Sequence, residues 1–379
     1  MQFIDLNAQR ERIRDRLKAA IDRVVDHGRY ILGPEVTELE EKLAAYVGTK
    51  HVVACANGTD ALLLPLHASG IGIGDAVFVP SFTFAATAEV VALTKAEPIF
   101  VDVDPKTYNI DIASLEAAID MVKAEGRLQP KAIIPVDLFG LAANYDALMQ
   151  IAAREKLLVI EDAAQSIGGS ADGKMCGAFG HVAGTSFYPA KPLGCYGDGG
   201  AMFTDDGDLA ERLRSFAFHG KGETQYDNIV VGINSRLDTI QAAILIEKLA
   251  ILEDEMEARH RVAARYAAGL GDIVKAASNP ENGRSAWAQY AIETPKRDGL
   301  KAHLQEKGIP SVIYYVKPLH TQVAYRNFPR TPNGLAVSEE LPQRILCLPM
   351  HPYLSEDDQD RIIETIRNYI GSNSVAAGE

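Results

Sequence analysis

The chain has 379 residues, 47% hydrophobic and 23% charged, with mean hydropathy near zero and a formal net charge of −13. That length exceeds one average domain and is ample for a large core, so two domains are expected. The acidic balance excludes general nucleic-acid or anionic-membrane binding, and no apolar run approaches the roughly 18 residues of a membrane span.

The N-terminus, Met1-Gln-Phe-Ile-Asp-Leu-Asn, carries an early acid and no charged-then-apolar leader, so a cytoplasmic enzyme is expected. Short apolar runs then alternate with helical patterns. Strands are predicted at His51–Ala56, Ala76–Pro80, Pro98–Val103, Ala132–Val136, Leu157–Glu161, His181–Phe187 and Ala201–Thr204. Helices are predicted at Thr59–Ser69, Ala85–Thr94, Ile112–Ala124, Tyr145–Glu155 and Leu209–Phe216. Several strands are apolar throughout, as in Lys131-Ala-Ile-Ile-Pro-Val, which suits a mostly parallel sheet covered on both faces. The fold class is α/β.

From Arg236 to about Tyr266 the pattern is one long helix or a broken pair. After Asn279-Pro-Glu-Asn-Gly comes a smaller α+β unit, with strands near Ala286–Glu293 and Ser311–Val316. A last helix starts at Ser355, a good N-cap with Asp358 at the capping-box position. Residues 1–245 are expected to form the large domain and 246–372 a connector helix and a small domain, with 373–379 a disordered tail. Cys55, Cys176, Cys195 and Cys347 are scattered and form no CxxC pair, so neither a metal site nor a disulfide framework is expected.

Three constellations carry chemistry. Lys191 follows an apolar stretch and stands between Pro189 and Pro192, with Gly194, Gly197, Gly199 and Gly200 just behind. That is a poor setting for a solvated cation and a good one for a lysine joined to a carbonyl as a Schiff base, for which pyridoxal 5'-phosphate is the commonest cofactor. The alternative is a loop lysine beside a strand. Asp162 ends the apolar run Leu158-Val-Ile-Glu-Asp, where ligands of open α/β sheets bind. There it would pair with a pyridine nitrogen and Gln165 would reach the ring oxygen, unless Asp162 only caps a helix. In Cys55-Ala-Asn-Gly-Thr-Asp a strand turns into a helix N-terminus, where Gly58 and Thr59, with Ser186, suit a phosphate. Gly168-Gly-Ser-Ala-Asp-Gly-Lys-Met imitates a P-loop, but Met175 stands where a hydroxyl should hold magnesium.

Six motifs in one order resemble the DegT/DnrJ/EryC1/StrS family of nucleotide-sugar aminotransferases. They are Asn57-Gly-Thr-Asp-Ala-Leu, Pro80-Ser-Phe-Thr-Phe-Ala-Ala-Thr-Ala-Glu, Glu161-Asp-Ala-Ala-Gln-Ser, Ser186-Phe-Tyr-Pro-Ala-Lys, Gly197-Asp-Gly-Gly-Ala and Gly232-Ile-Asn-Ser-Arg-Leu-Asp. The resemblance implies a fold-type-I pyridoxal phosphate enzyme with a mostly parallel seven-stranded sheet, normally a homodimer with shared active sites. It implies Lys191 as the Schiff-base lysine, Asp162 on the pyridine nitrogen and Gln165 on the ring oxygen. It further implies Phe84 stacked on the ring, Gly58, Thr59 and Ser186 on the phosphate, and Asn234 reaching that phosphate from the other subunit.

Within the family the likeness is greatest to enzymes that aminate C3 of a UDP-linked 2-acetamido-3-keto-hexuronate for surface polysaccharides such as lipopolysaccharide O-antigen, with L-glutamate as donor. It rests on Tyr30-Ile-Leu-Gly-Pro-Glu-Val, the run from Lys191 to Gly200, the run from Asn234 to Leu245, and Leu348-Pro-Met-His-Pro-Tyr-Leu. Members often carry a His-Tyr pair where this chain has Tyr314-Tyr315. Arg236, Tyr314, Tyr315, Lys317 and His320 are substrate candidates, the cations among them being equally readable as surface or helix-end charges. A dTDP-linked 3- or 4-keto-6-deoxyhexose is the alternative substrate, and a non-catalytic regulator with the same fold the alternative class. Sugar dehydratases of this fold replace the lysine with histidine, and Lys191 argues against that.

Overall fold

The computed structural model of the chain describes residues 1–224, 226–276 and 282–375. Helices α1 (Leu6–Arg12), α2 (Arg14–His27) and α3 (Pro34–Val47) come first. The alternation then runs β1 (His51–Cys55), α4 (Gly58–Ala68), β2 (Asp75–Pro80), α5 (Ala86–Leu93), β3 (Glu97–Val101), α6 (Ile112–Glu125), β4 (Gln129–Ile133), α7 (Tyr145–Glu155) and β5 (Leu158–Asp162). A small hairpin, β6 (Ser170–Ala171) and β7 (Lys174–Met175), leads to β8 (Val182–Ser186), β9 (Gly200–Thr204) and α8 (Gly207–Ala217). Next come α9 (Thr239–Leu249), α10 (Leu252–Leu270), β10 (Lys275–Ala276), β11 (Gly283–Arg284) and β12 (Tyr290–Glu293). The chain closes with α11 (Arg297–Glu306), α12 (Ala336–Arg344), β13 (Ile345–Leu348) and α13 (Glu356–Val375).

The seven predicted strands of the first part form one sheet, in the order β1-β9-β8-β5-β4-β2-β3. Only β9 runs against its neighbours; the ladders β8–β5, β5–β4, β4–β2 and β2–β3 are parallel. The strands read as apolar throughout because both faces are covered. Val77 and Val79 join the core beneath α4, α5 and α8, whereas Ala76 and Phe78 join the one beneath α6 and α7. Complete burial of a side chain such as Phe78 is worth about 1.5–3 kcal/mol. A second sheet, β10-β12-β13, packs against α10, α11 and α13 through Tyr266, Tyr290, Leu300, Leu346 and Ile366. Among the described residues no helix is long and apolar enough to cross a membrane.

Several boundaries differ from expectation. Strand β4 starts at Gln129 and ends at Ile133 instead of reaching Val136, because Pro135 has no N–H for the ladder. The predicted strand Ser311–Val316 does not form. Val312 alone bridges to Cys347, and the chain then turns so that Tyr314 and Tyr315 face a cavity. Aromatic and β-branched composition marks a half-buried surface and does not by itself require a ladder. Of Ala286–Glu293 only β12 is strand; Trp287, at φ +47°, takes the chain out of the extended form.

The 236–266 segment is the broken pair. Helix α9 runs unbroken through residues 245 and 246, and the turn comes at Ala250-Ile251. Ser355 does cap α13, accepting from the N–H of Asp358 at 3.2 Å. That helix continues to Val375, past the predicted start of a disordered tail, while 376–379 and Asn279-Pro-Glu lie outside the described residues.

Candidate active site

The sheet gathers the predicted residues at one edge. Cys55 and Ser186 both stand opposite Gly200, and Asp162 stands opposite Gly184. Because β9 is reversed, its first residue lies where β1, β5 and β8 end. The loop between β8 and β9, which carries Lys191, therefore hangs over that edge. It helps enclose a cavity of about 540 Å³ lined by Gly58, Thr59, Phe84, Asp162, Gln165, Ser186 and Lys191, together with Tyr314 and Tyr315.

Burial lowers the pKa of the Lys191 amine, and the charge of Asp162 opposes the shift only in part. Asp162 is itself buried, which raises its carboxyl pKa against the Ala164 N–H, the Lys191 ammonium and the Thr87 hydroxyl. The Ala164 N–H donates to Oδ1 at 3.2 Å and the Thr87 hydroxyl to Oδ2 at 3.1 Å. A desolvated carboxylate so sparsely compensated favours a further cation beside it. Thr87 was not foreseen. The available signal was a hydroxyl in an apolar helix, three residues after Phe84.

Behind Asp162 lies a buried polar knot. Asp137 accepts from Tyr145 and Ser166 hydroxyls at 2.8 Å each, and its own N–H donates to the Asp162 carbonyl at 3.1 Å. Glu161 accepts the N–H groups of Gly177, Phe179 and Gly180. Burial raises both carboxyls, that of Asp137 to about 6. Cys176 completes a group within 4.8 Å, but the carboxylate oxygens already accept protein donors, which suits a structural support for the end of β5.

At the other end of the cavity the Asn57 side chain caps α4, accepting from the Asp60 N–H at 2.8 Å. The N–H groups of Gly58 and Thr59 are the first of that helix and have no acceptor within it, which makes an anion site. A Cβ on Gly58 would lie 2.5 Å from that of Ser186, so only glycine lets the helix start approach β8 this closely.

The amide of Gln165 is fixed in direction. Its Oε1 accepts from the Phe139 N–H at 3.0 Å, so Nε2 faces the Tyr315 hydroxyl at 3.3 Å. Tyr315 packs edge-on to Phe82, with ring centroids 5.8 Å apart, and lies 6.5 Å from Phe84. Phe84 is 58% exposed, an apolar ring presented to the cavity with one face free.

Four predicted residues stand outside this cavity. His320 corrects the expectation of a substrate contact: it is buried, with Nδ1 2.6 Å from the Ser81 hydroxyl and Nε2 3.1 Å from Glu339. Both nitrogens are engaged, and it ties the end of β2 to α12. Lys317 is exposed and does not line the cavity. Arg236 stacks over Phe218 at 4.8 Å, and Asn234 is exposed where it pairs with Phe218.

A desolvated amine, a carboxylate short of a counter-charge, a helix N-terminus and a free aromatic face suit a phosphorylated pyridine carbonyl compound. The profile of the DegT/DnrJ/EryC1/StrS aminotransferase family matches residues 11–367. The chain belongs to this family. DegT/DnrJ/EryC1/StrS aminotransferases are pyridoxal-phosphate-dependent and have fold type I, the fold seen here. The chain is 48% identical over 355 residues to the UDP-2-acetamido-2-deoxy-3-oxo-D-glucuronate aminotransferase of Pseudomonas aeruginosa, covering 93% of this chain and 96% of that protein. It is 70% identical to a crystallised family member from Brucella abortus, with a TM-score of 0.97 over 98% of this chain and 100% of that one. NtdA of Bacillus subtilis, solved with the cofactor PMP bound, is 29% identical with a TM-score of 0.87 and covers 97% of this chain and 83% of its own.

For an aminotransferase of this family the Gly58 contact gives a test. Gly58→Ala must push the start of α4 away from Ser186, and cofactor affinity is expected to fall about tenfold, roughly the 1.4 kcal/mol of one weakened hydrogen bond to a charged group. Titration of the apoenzyme with pyridoxal phosphate measures it; an unchanged Kd would remove Gly58 from the phosphate site.

Proposed function

We propose that this aminotransferase takes its amino group from L-glutamate and delivers it to C3 of UDP-2-acetamido-2-deoxy-3-keto-D-glucuronate, in the cytoplasm, for bacterial surface polysaccharide synthesis. The observation that carries the reading is the single cavity holding Lys191, Asp162, Gln165, Ser186 and the α4 N-terminus. The choice of sugar is supported by the 48% identity to a protein named for that substrate.

Pyridoxal phosphate, when bound, supplies an electrophilic carbon and a ring that accepts the electrons released at the substrate carbon. The remaining work falls to side chains. Lys191 would hold the cofactor covalently, and its free Nζ would take the proton from the donor's α-carbon. Burial lowers its pKa, which favours the uncharged amine that both tasks require. Asp162 holds a proton on the ring nitrogen, and that positive charge answers the carboxylate's own desolvation. Gln165 donates to the ring oxygen, Phe84 covers a ring face, and Gly58, Thr59 and Ser186 hold the phosphate. Tyr314 and Tyr315, which also line the cavity, would face the sugar.

The reading includes a homodimer. Asn234, exposed and outside its own cavity, would serve the partner's phosphate site, and Arg236 the anions of the sugar nucleotide. Exposed apolar side chains at Tyr30, Ile31, Leu32, Ile229 and Val231 support a covered surface.

The test loads the enzyme with glutamate, which should bleach its absorption, and then offers keto-sugars. Colour should return with the UDP-linked 3-keto-uronate. Return with a dTDP-linked keto-6-deoxyhexose and none with the uronate would reassign the substrate, and no bleaching by glutamate would reassign the donor.

A further inference from the structure

Lys248 is 1% exposed, on a helix that does not line the cavity. Its ammonium donates to the Gly194 carbonyl at 2.6 Å and sits 4.2 Å from the centroid of the Tyr196 ring. Gln241, two turns earlier on the same face of α9, accepts the Tyr196 N–H at 2.9 Å. Both contacts therefore grip the stretch just after Lys191. The loop is also folded on itself. The Lys191 N–H donates to the Tyr188 carbonyl at 2.9 Å, and Cys195 donates to the Phe187 carbonyl through its N–H and its thiol. At Gly194 a Cβ would meet the Tyr188 and Pro189 carbonyl oxygens at 2.6 Å, so the two arms flanking Lys191 lie in direct contact.

A buried ammonium with one carbonyl and one ring face for company is costly, and an apolar side chain of the same length would fill the space without that cost. Burial draws the Lys248 pKa down to about 8, opposed in part by Glu255 and Cys195, the titratable groups that face it. Glu255 is in turn held by Gln9 and Tyr353. What the charge secures is the position of the Gly194 carbonyl, three residues from Lys191.

We infer that Lys248, seconded by Gln241, is a positioning residue: α9 splints the Lys191 loop, and the Lys248–Gly194 hydrogen bond sets where the Lys191 amine stands in the cavity. The inference rests on the reading that Lys191 carries the cofactor. Freed from the splint, the loop relaxes and the amine loses its alignment for proton transfer, while the substrate contacts, on other elements, stay in place.

The experiment uses Lys248→Met, which keeps length and volume but removes the donor, in the holoenzyme. Borohydride reduction and peptide mass spectrometry come first; a pyridoxyl label on any residue but Lys191 defeats the site reading itself. With the label on Lys191, kcat should fall about 10- to 100-fold, the order of loss expected of an ångström-scale misplacement, with KM for glutamate and sugar within about twofold. The pH midpoint of the cofactor's absorption should move by about half a unit or more, an environment change worth about threefold in the proton equilibrium. Gln241→Leu should move it the same way by less, and it alone decides the matter if Lys248→Met does not fold. Leu245→Ala, which opens a cavity in the same helix, should lower Tm and leave the midpoint unmoved. A wild-type kcat, or a lower one with the midpoint unmoved, in the folded splint variants overturns the inference.

Discussion

Lys191→Ala is expected to lower turnover at least about a thousandfold, some 4 kcal/mol of transition-state stabilisation. On the proposed reading the variant would lose the covalent attachment and the base that moves the α-proton, two tasks that no neighbour can assume. Arg236, Lys317 and Lys248 all lie outside the cavity lining, and Lys248 is held by Gly194. The phosphate cup and Asp162 remain, so cofactor should still bind, without covalent attachment. Single-turnover mixing with glutamate reads the loss, and turnover within tenfold of wild type would show that the lysine is only structural.

Asp162→Asn has the second largest expected effect, about a hundred- to a thousandfold loss in kcat, the range found when one preorganised electrostatic partner is removed. An amide oxygen can still accept from the Ala164 N–H, and the amide NH2, standing where Oδ2 was, can donate to the Thr87 hydroxyl once that hydroxyl turns, so the end of β5 should keep its shape. What it lacks is the charge that, on the proposed reading, would hold a proton on the pyridine nitrogen. Because burial raises the Asp162 pKa in the free protein, the asparagine variant is also spared a desolvation cost, and its Tm should equal or exceed that of wild type. Slower catalysis in a fully stable protein is the signature; unchanged kcat would reduce Asp162 to a cap for the turn that follows.

Much of the site was legible before any coordinates. Lys191 could be read because prolines and glycines around a lysine are inconsistent with a solvated surface cation. Asp162 could be read because an apolar strand that ends in carboxylates points at a sheet edge. The α4 start carried its own capping residue, Asn57. Each of these signals lies within a few residues of the chain, where backbone restriction and periodicity act directly.

Other parts of the site depended on groups far away in sequence. Tyr314 and Tyr315 looked like strand, but one bridge at Val312 was all the ladder that formed, and both rings became cavity wall. Thr87 gave only the weak signal of a hydroxyl in an apolar helix. His320 was a candidate for a substrate contact, yet it is consumed by Ser81, 239 residues away, and by Glu339.

The sequence by itself determined the alternating sheet and the sheet edge at which Lys191 and Asp162 meet, because periodicity and backbone stiffness are local properties. Only the tertiary structure decided which polar side chains are free to meet a substrate. That depends on desolvation and on partners that folding brings from elsewhere: Lys248, which no motif in the sequence singles out, loses its water and finds the Gly194 carbonyl 54 residues away only when α9 packs beneath the loop.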